Sequence, residues 1–129
     1  MSIPFVDLKA QYADLKTEID AGIQTVLDHG RFILGPEVHE FEAELAAHVG
    51  VDHVVSCANG TDALILALMG ENIGPGDAVF VPSFTFTATA ETVLLIGATP
   101  VFVDVDDENF LIDCADLESK IATVKAAGK

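Results

Sequence analysis

The first part of the chain carries apolar side chains at the spacing of helices. Between Tyr12 and Leu27 they recur every three or four positions, which predicts one amphipathic helix ending at His29 and Gly30. A second helix is predicted to begin at Pro36 and to close at Gly50. Its apolar stripe, which we expect to be buried, consists of Val38, Phe41, Leu45 and Val49.

From residue 53 the pattern changes to short continuous apolar runs that alternate with helical segments. The runs predict three strands, at 54–57, 78–82 and 100–105. Helices are predicted at about 60–72, where the sequence is apolar on most sides and should be largely buried, and at 86–96. Asp113 is expected to cap a last helix. This alternation predicts an α/β fold with a mainly parallel sheet covered by helices on both faces.

The chain is strongly acidic, and this limits its partners. It has 129 residues, with 6 Lys+Arg against 21 Asp+Glu and a formal net charge of −15. Nucleic-acid binding needs a basic surface, so we expect no nucleic-acid partner. An anionic ligand would have to rely mainly on backbone N–H groups at a helix N-terminus. No apolar stretch is long enough to span a membrane and no secretory signal is visible, which predicts a cytoplasmic protein.

Neither the cysteines nor the acidic residues predict a metal site. Cys57 and Cys114 form no CxxC pair and have no histidine at ligand spacing, so we expect two small buried thiols in a reducing compartment. The acidic run at 104–108 lacks the glycine and glutamate of a calcium-binding EF-hand loop. A DxD metal site for a nucleotide-sugar is a formal alternative, but a solvated turn is the favoured interpretation.

Two segments that follow predicted strands could carry chemistry. In 58–64, Gly60 would let a ligand approach the backbone, and the N–H groups that open the next helix would bind a phosphate together with the hydroxyl of Thr61. The alternative is that Asn59 or Thr61 only caps the helix. In 82–89, aromatic and hydroxyl side chains suit a flat ligand, or else form an ordinary turn above two core phenylalanines.

Taken together and in this order, the motifs resemble the DegT/DnrJ/StrS family of pyridoxal-phosphate (PLP)-dependent nucleotide-sugar aminotransferases. The resemblance runs from about residue 4 to residue 118. The matching segments are Phe5-Val6-Asp7-Leu8 with Gln11-Tyr12, residues 30–36, 59–64, 82–89 and 97–106, and Ile112-Asp113. Each motif is weak alone, but their combination in register is specific.

The resemblance implies part of the large domain of PLP-transferase fold type I, the aspartate-aminotransferase type. Residues 1–35 would be an N-terminal helix and active-site linker, and 36–129 the first part of the PLP-binding domain. Gly60, Thr61 and Asp62 match the phosphate-binding turn, with the N–H groups of Thr61 and Asp62 expected to face the phosphate. Phe86 matches the aromatic residue that stacks on the pyridine ring. Residues near the sugar would be Gly30, Arg31 and Phe32.

The implied function is amino transfer to a nucleotide-linked keto-sugar, with glutamate as donor, in the biosynthesis of cell-surface polysaccharide or antibiotic sugars. The lysine that binds PLP covalently would lie beyond residue 129, and Lys120, Lys125 and Lys129 match no such position. A homodimer, or association with the remaining part of the same protein, is also implied. Alternatives are a PLP-dependent sugar dehydratase of the same family and, if the chain is complete, a binding module or inactive fragment.

Overall fold

The computed structural model describes residues 4–128, which separate into two units, the first up to Ser56 and the second from Cys57. The division between the predicted domains at residue 35 stays a prediction, and residues 1–3 and Lys129 lie outside the described residues. None of the helices between residues 4 and 128 combines the length and the apolar character that crossing a bilayer requires.

The first unit contains two helices whose ends are fixed by local residues. Asp7 caps α1 (Leu8–His29) by accepting the N–H of Ala10 at 3.0 Å. Gly30 ends α1 in the left-handed conformation, with a φ of 68°. Pro36 opens α2 (Pro36–Val49), and Gly50 ends it at a φ of 80°. Both predicted helices are therefore confirmed, because proline and glycine act on the backbone beside them.

The stripe along α2 is not buried as expected. Phe41 is 53% exposed and Val49 is 61% exposed, and no residue of α1 or α2 is fully buried. The apolar spacing correctly predicted which residues share a helix face. The spacing does not show which element covers that face, and no other element in the described part of this unit packs extensively over it.

The second unit is built on two parallel strands and three helices. These are α3 (Gly60–Gly70), β1 (Ala78–Pro82), α4 (Ala88–Leu95), β2 (Thr99–Val103) and α5 (Cys114–Ala126). β1 and β2 pair in parallel, with Ala78 opposite Thr99 and Pro82 opposite Val103. α4 packs on both strands and on α3, and α5 packs on β2. The alternating α/β order and the parallel pairing are as predicted.

The core of the second unit lies between β1 and α4. Val81, Val93 and Ala98 are buried there, and five partly buried side chains surround them: Leu68, Ile73, Val79, Ala90 and Ile96. The hydroxyl of Thr92, which is also buried, donates to the carbonyl of Thr89 at 3.4 Å. A small apolar core under one helix and two strands thus fixes the loops that follow β1 and β2.

Three further expectations about strands and burial are wrong. Residues 54–57 form no strand, because no strand among the described residues lies alongside to pair with them, and Val55 is 79% exposed. Helix α3 is not largely buried, since Leu64, Leu66 and Met69 are exposed. The thiols of Cys57 and Cys114 are exposed rather than buried. Each error arises where burial depends on residues distant along the chain.

The segment after β2 closes into a turn. β2 ends at Val103, two residues earlier than predicted, and Val105 forms an isolated antiparallel bridge with Ile112. Between them the carboxylate of Asp106 accepts the N–H groups of Glu108 and Asn109 at 3.1 and 3.0 Å. Asp113 caps α5 by accepting two N–H groups, as predicted.

Candidate active site

The start of α3 is organised by a side-chain cap. Asn59 adopts an extended conformation, and its Oδ1 accepts the N–H of Asp62 at 2.9 Å. In return, Nδ2 of Asn59 donates to Oδ2 of Asp62 at 3.1 Å. The amide of Asp62 is therefore engaged in the cap and is not free for a ligand. The expectation that the N–H groups of Thr61 and Asp62 face a phosphate stays a prediction, and in this structure the cap engages the second of these groups.

Two backbone donors remain available at the same helix end. Among the described residues, the N–H groups of Gly60 and Thr61 and the hydroxyl of Thr61 have no hydrogen-bond partner. A Cβ placed on Gly60 would meet no atom within 4 Å, and its φ lies outside the left-handed region. Neither packing nor backbone conformation requires a glycine here. The open space beside Gly60 is instead suited to the close approach of a ligand.

Phe86 presents its ring at the start of α4. Its carbonyl accepts the N–H of Thr89 at 3.0 Å, which closes the turn that leads into the helix. The side chain is 78% exposed. The core-phenylalanine interpretation is therefore wrong for Phe86, and also for Phe84, whose exposed ring lies 5.5 Å from that of Phe110.

These two helix ends enclose one concave site, which we call the α3–α4 cavity. It has a volume of about 490 Å³ and is lined by Gly60, Thr61, Leu64, Phe86, Ala88 and Thr89. Sites for small molecules usually measure roughly 300–1,000 Å³ and combine apolar walls with a few polar groups. The sequence predicted Gly60, Thr61 and Phe86 separately, and the structure brings these three together. Asp62 is not among the lining residues.

The sequence anticipated part of the remaining lining. Thr89 belongs to the run of hydroxyl side chains at 82–89 that was expected beside a flat ligand, and Leu64 closes the predicted segment 58–64, but neither was singled out as a site residue. Within residues 4–128 no charged residue lines the cavity, so an anion bound there would be stabilised by amide dipoles and by the N-terminus of α3.

The segment with Gly30, Arg31 and Phe32 belongs to the first unit, whereas the cavity is formed entirely by the second. His29 organises this segment: its Nδ1 accepts the N–H of Arg31 at 3.0 Å, and its Nε2 lies 2.8 Å from Oε1 of Glu37. Because Nδ1 is an acceptor here, Nε2 carries the proton and donates to Glu37. That hydrogen bond holds the pKa of Glu37 below its usual value.

A glycine is required where this segment enters α2. Gly35 is buried, and a Cβ there would lie 2.5 Å from the carbonyl oxygen of Arg31. Leu34 adopts a positive φ of 47°. The Arg31 and Phe32 side chains, by contrast, are exposed. The backbone of 30–35 is thus tightly folded, while its candidate substrate-binding side chains point outward.

Residues 13–127 match the model of the DegT/DnrJ/EryC1/StrS aminotransferase family. The chain belongs to this family. The resemblance noted from the motifs is therefore confirmed, and so is the fold class, because the solved structures that it matches are aminotransferases of this type.

One curated relative is the UDP-2-acetamido-2-deoxy-3-oxo-D-glucuronate aminotransferase of Pseudomonas aeruginosa, which is 56% identical over 92% of this chain and 33% of its own length. An aminotransferase of the family from Brucella abortus superposes with a TM-score of 0.91 at 54% identity, over 98% of this chain and 34% of that one. NtdA from Bacillus subtilis, solved with bound cofactor PMP, has a TM-score of 0.85 at 31% identity, over 92% of this chain and 28% of that one. The chain spans about a third of the length of the curated relatives it matches.

Proposed function

We propose that the chain is the N-terminal third of a PLP-dependent aminotransferase that acts on a nucleotide-linked keto-sugar, with glutamate as the amino donor. The observation that carries this proposal is the α3–α4 cavity, whose walls include Gly60, Thr61 and Phe86. Family membership and the sugar substrate named for the Pseudomonas aeruginosa relative support it. That relative is an aminotransferase, which favours amino transfer over the dehydratase alternative.

The residues of the cavity fit the two ends of PLP. We assign the phosphate to the N–H groups of Gly60 and Thr61 and to the Thr61 hydroxyl, at the N-terminus of α3. Phe86 offers an exposed aromatic face to the ring. Asp62 supports the turn through its exchange of hydrogen bonds with Asn59 instead of donating its own amide. Because no basic side chain lines the cavity, the rest of the counter-charge is assigned to residues outside this chain.

Bound PLP would supply an electron sink for amino transfer, and the role of these residues is to hold and orient it. The lysine that binds PLP covalently is expected beyond residue 129. The isolated 129-residue chain should therefore lose added PLP on dialysis. Gly30, Arg31 and Phe32 are proposed to contact the sugar, and the homodimeric, cytoplasmic state is part of the same proposal.

The test compares two substitutions at the start of α3 in the full-length protein. Thr61→Ala removes a hydroxyl that has no partner among the described residues, and a hydrogen bond to a charged oxygen is worth about 1.5–3 kcal/mol. We expect PLP affinity to fall by about ten- to a hundredfold, with little change in the melting temperature of the apo-protein. PLP affinity is measured by equilibrium dialysis and apo stability by thermal unfolding.

Asn59→Ala is the matched control, because it removes the cap and leaves Thr61 in place. It should lower apo stability by about 1 kcal/mol and change PLP affinity less than Thr61→Ala does. If Thr61→Ala lowers only the stability of the apo-protein and leaves PLP affinity unchanged, Thr61 serves only the helix and the assignment of the phosphate site is wrong.

A further inference from the structure

Two threonine hydroxyls meet at the edge of the α3–α4 cavity. Oγ1 of Thr85 and Oγ1 of Thr89 are 3.0 Å apart, and either can be the donor. Thr89 is half-buried and lines the cavity, whereas Thr85 is exposed in the turn before α4. The backbone of Thr89 also closes the turn at Phe86. Thr89 is therefore placed by the same turn that presents the aromatic ring.

A pair of hydroxyls keeps one hydrogen-bonding function free. When Thr85 donates to Thr89, the proton of Thr89 is available to a third group. When Thr89 donates to Thr85, the Thr89 oxygen still has a lone pair that can accept. The backbone groups at Gly60 and Thr61, by contrast, can only donate. The Thr89 hydroxyl can therefore either donate a hydrogen bond to a ligand in the cavity or accept one from it.

The neighbouring Thr92 shows what a purely structural hydroxyl looks like in this helix. Thr92 is 1% exposed, and its hydroxyl donates within the helix to the carbonyl of Thr89. The Thr89 hydroxyl makes no backbone contact among the described residues, and its only partner there is the exposed Thr85. The Thr85–Thr89 pair therefore does not satisfy a buried group of the core.

We propose that Thr89 is a further cofactor-contacting residue, whose hydroxyl binds a polar substituent of the ring held against Phe86, and that Thr85 is a positioning residue that orients this hydroxyl. This inference rests on the proposed function, because it takes the ligand of the α3–α4 cavity to be PLP. It adds a side-chain contact at α4 to the phosphate contacts at α3.

The experiment uses the full-length protein with Thr89→Val, Thr89→Ser, Thr85→Val and the double valine variant. Valine keeps the branched shape and removes the hydroxyl, which should weaken PLP binding about tenfold for one lost hydrogen bond. Serine restores the hydroxyl and should bind within about twofold of the original protein. Thr85→Val should weaken binding about threefold, and the double variant no more than Thr89→Val, because both act on one contact.

Three readouts separate the outcomes: PLP affinity, the absorption maximum of bound PLP and the melting temperature of the apo-protein. Weaker binding and a shifted absorption maximum in Thr89→Val, with serine restoring both, support the inference. Unchanged affinity and absorption in Thr89→Val overturn it, including when apo stability alone falls. Thr61→Ala belongs in the same series. If it weakens PLP binding while Thr89→Val does not, only this inference fails; if neither does, the proposed assignment of the PLP phosphate to the α3–α4 cavity fails too.

Discussion

The unit up to Ser56 and the unit from Cys57 are stabilised by different interactions. All the fully buried hydrophobic side chains among the described residues lie in the second unit, around Val81 and Val93. The first unit depends on helix caps and on hydrogen bonds that the side chains of His29 and Glu42 accept. The comparison teaches that local backbone signals can define helices without a core, whereas the loops that line the α3–α4 cavity belong to the unit that has one.

The largest expected effect is the loss of packing in the second unit. Val93 is 1% exposed, so Val93→Ala should lower the free energy of unfolding by about 2–3 kcal/mol. The matched control is Val49→Ala in the first unit, where the side chain is exposed and the change should stay within about 0.5 kcal/mol. Chemical denaturation of each variant measures both. Equal losses at the two valines would contradict the contrast between the units.

A smaller effect is expected where the first unit requires a glycine. Gly35→Ala forces a Cβ against the carbonyl of Arg31 and should destabilise this segment by about 1–2 kcal/mol. In Gly22→Ala, on α1, the new Cβ meets no atom within 4 Å. The free energy of unfolding should therefore rise by about 0.5–1 kcal/mol, because alanine favours the helix. Thermal unfolding followed by circular dichroism distinguishes the two substitutions. A neutral Gly35→Ala would show that the backbone of 30–35 is not constrained.

The smallest effect concerns a carboxylate that holds the end of the first unit. Oε1 of Glu42 accepts the N–H of Ser56 at 2.8 Å and its hydroxyl at 2.7 Å. These hydrogen bonds, the backbone one first, hold the pKa of Glu42 below its usual value. The stabilisation is therefore complete above the ordinary carboxyl pKa and is lost as the pH falls through the lowered pKa of the folded state.

Hydrogen exchange at the Ser56 amide measures this interaction directly. Its protection factor should fall on acidification in the original protein, whereas in Glu42→Gln, which keeps a neutral amide oxygen as acceptor, it should be lower at neutral pH and independent of pH. Glu40→Gln is the control, because Glu40 lies on the same helix without a side-chain hydrogen bond among the described residues. If protection at Ser56 is as high and as pH-dependent in Glu42→Gln as in the original protein, the carboxylate does not anchor this segment.

The sequence was sufficient to predict elements that depend on neighbouring residues. Gly30 and Gly50 end helices, and Asp113 begins one, because each acts on the backbone within a turn of its own position. The prediction of a strand at 54–57 was wrong, since a strand also needs a pairing partner elsewhere in the chain. The predicted burial of Phe41 was wrong for the same reason, because the spacing of apolar residues along a helix does not identify the element that covers them.

At the candidate site, the sequence anticipated several residues that line the α3–α4 cavity but not their geometry. A helix cap and a ligand-binding turn were treated as alternatives at 58–64, yet Asn59 caps α3 while Gly60 and Thr61 line the cavity. The cap engages the amide of Asp62, which only the fold reveals. The convergence of Thr61 with Phe86, 25 positions apart, depends on the packing of α3 against α4 and has no local signal.

The most direct test of the central claim, that PLP binds at the N-terminus of α3, is the PLP affinity of Gly60→Val in the full-length protein. A Cβ at position 60 would meet no atom within 4 Å, so we expect the melting temperature of the apo-protein to be nearly unchanged. PLP affinity should fall at least about a hundredfold, because the phosphate could no longer approach the backbone. PLP binding as tight as in the original protein would contradict the claim.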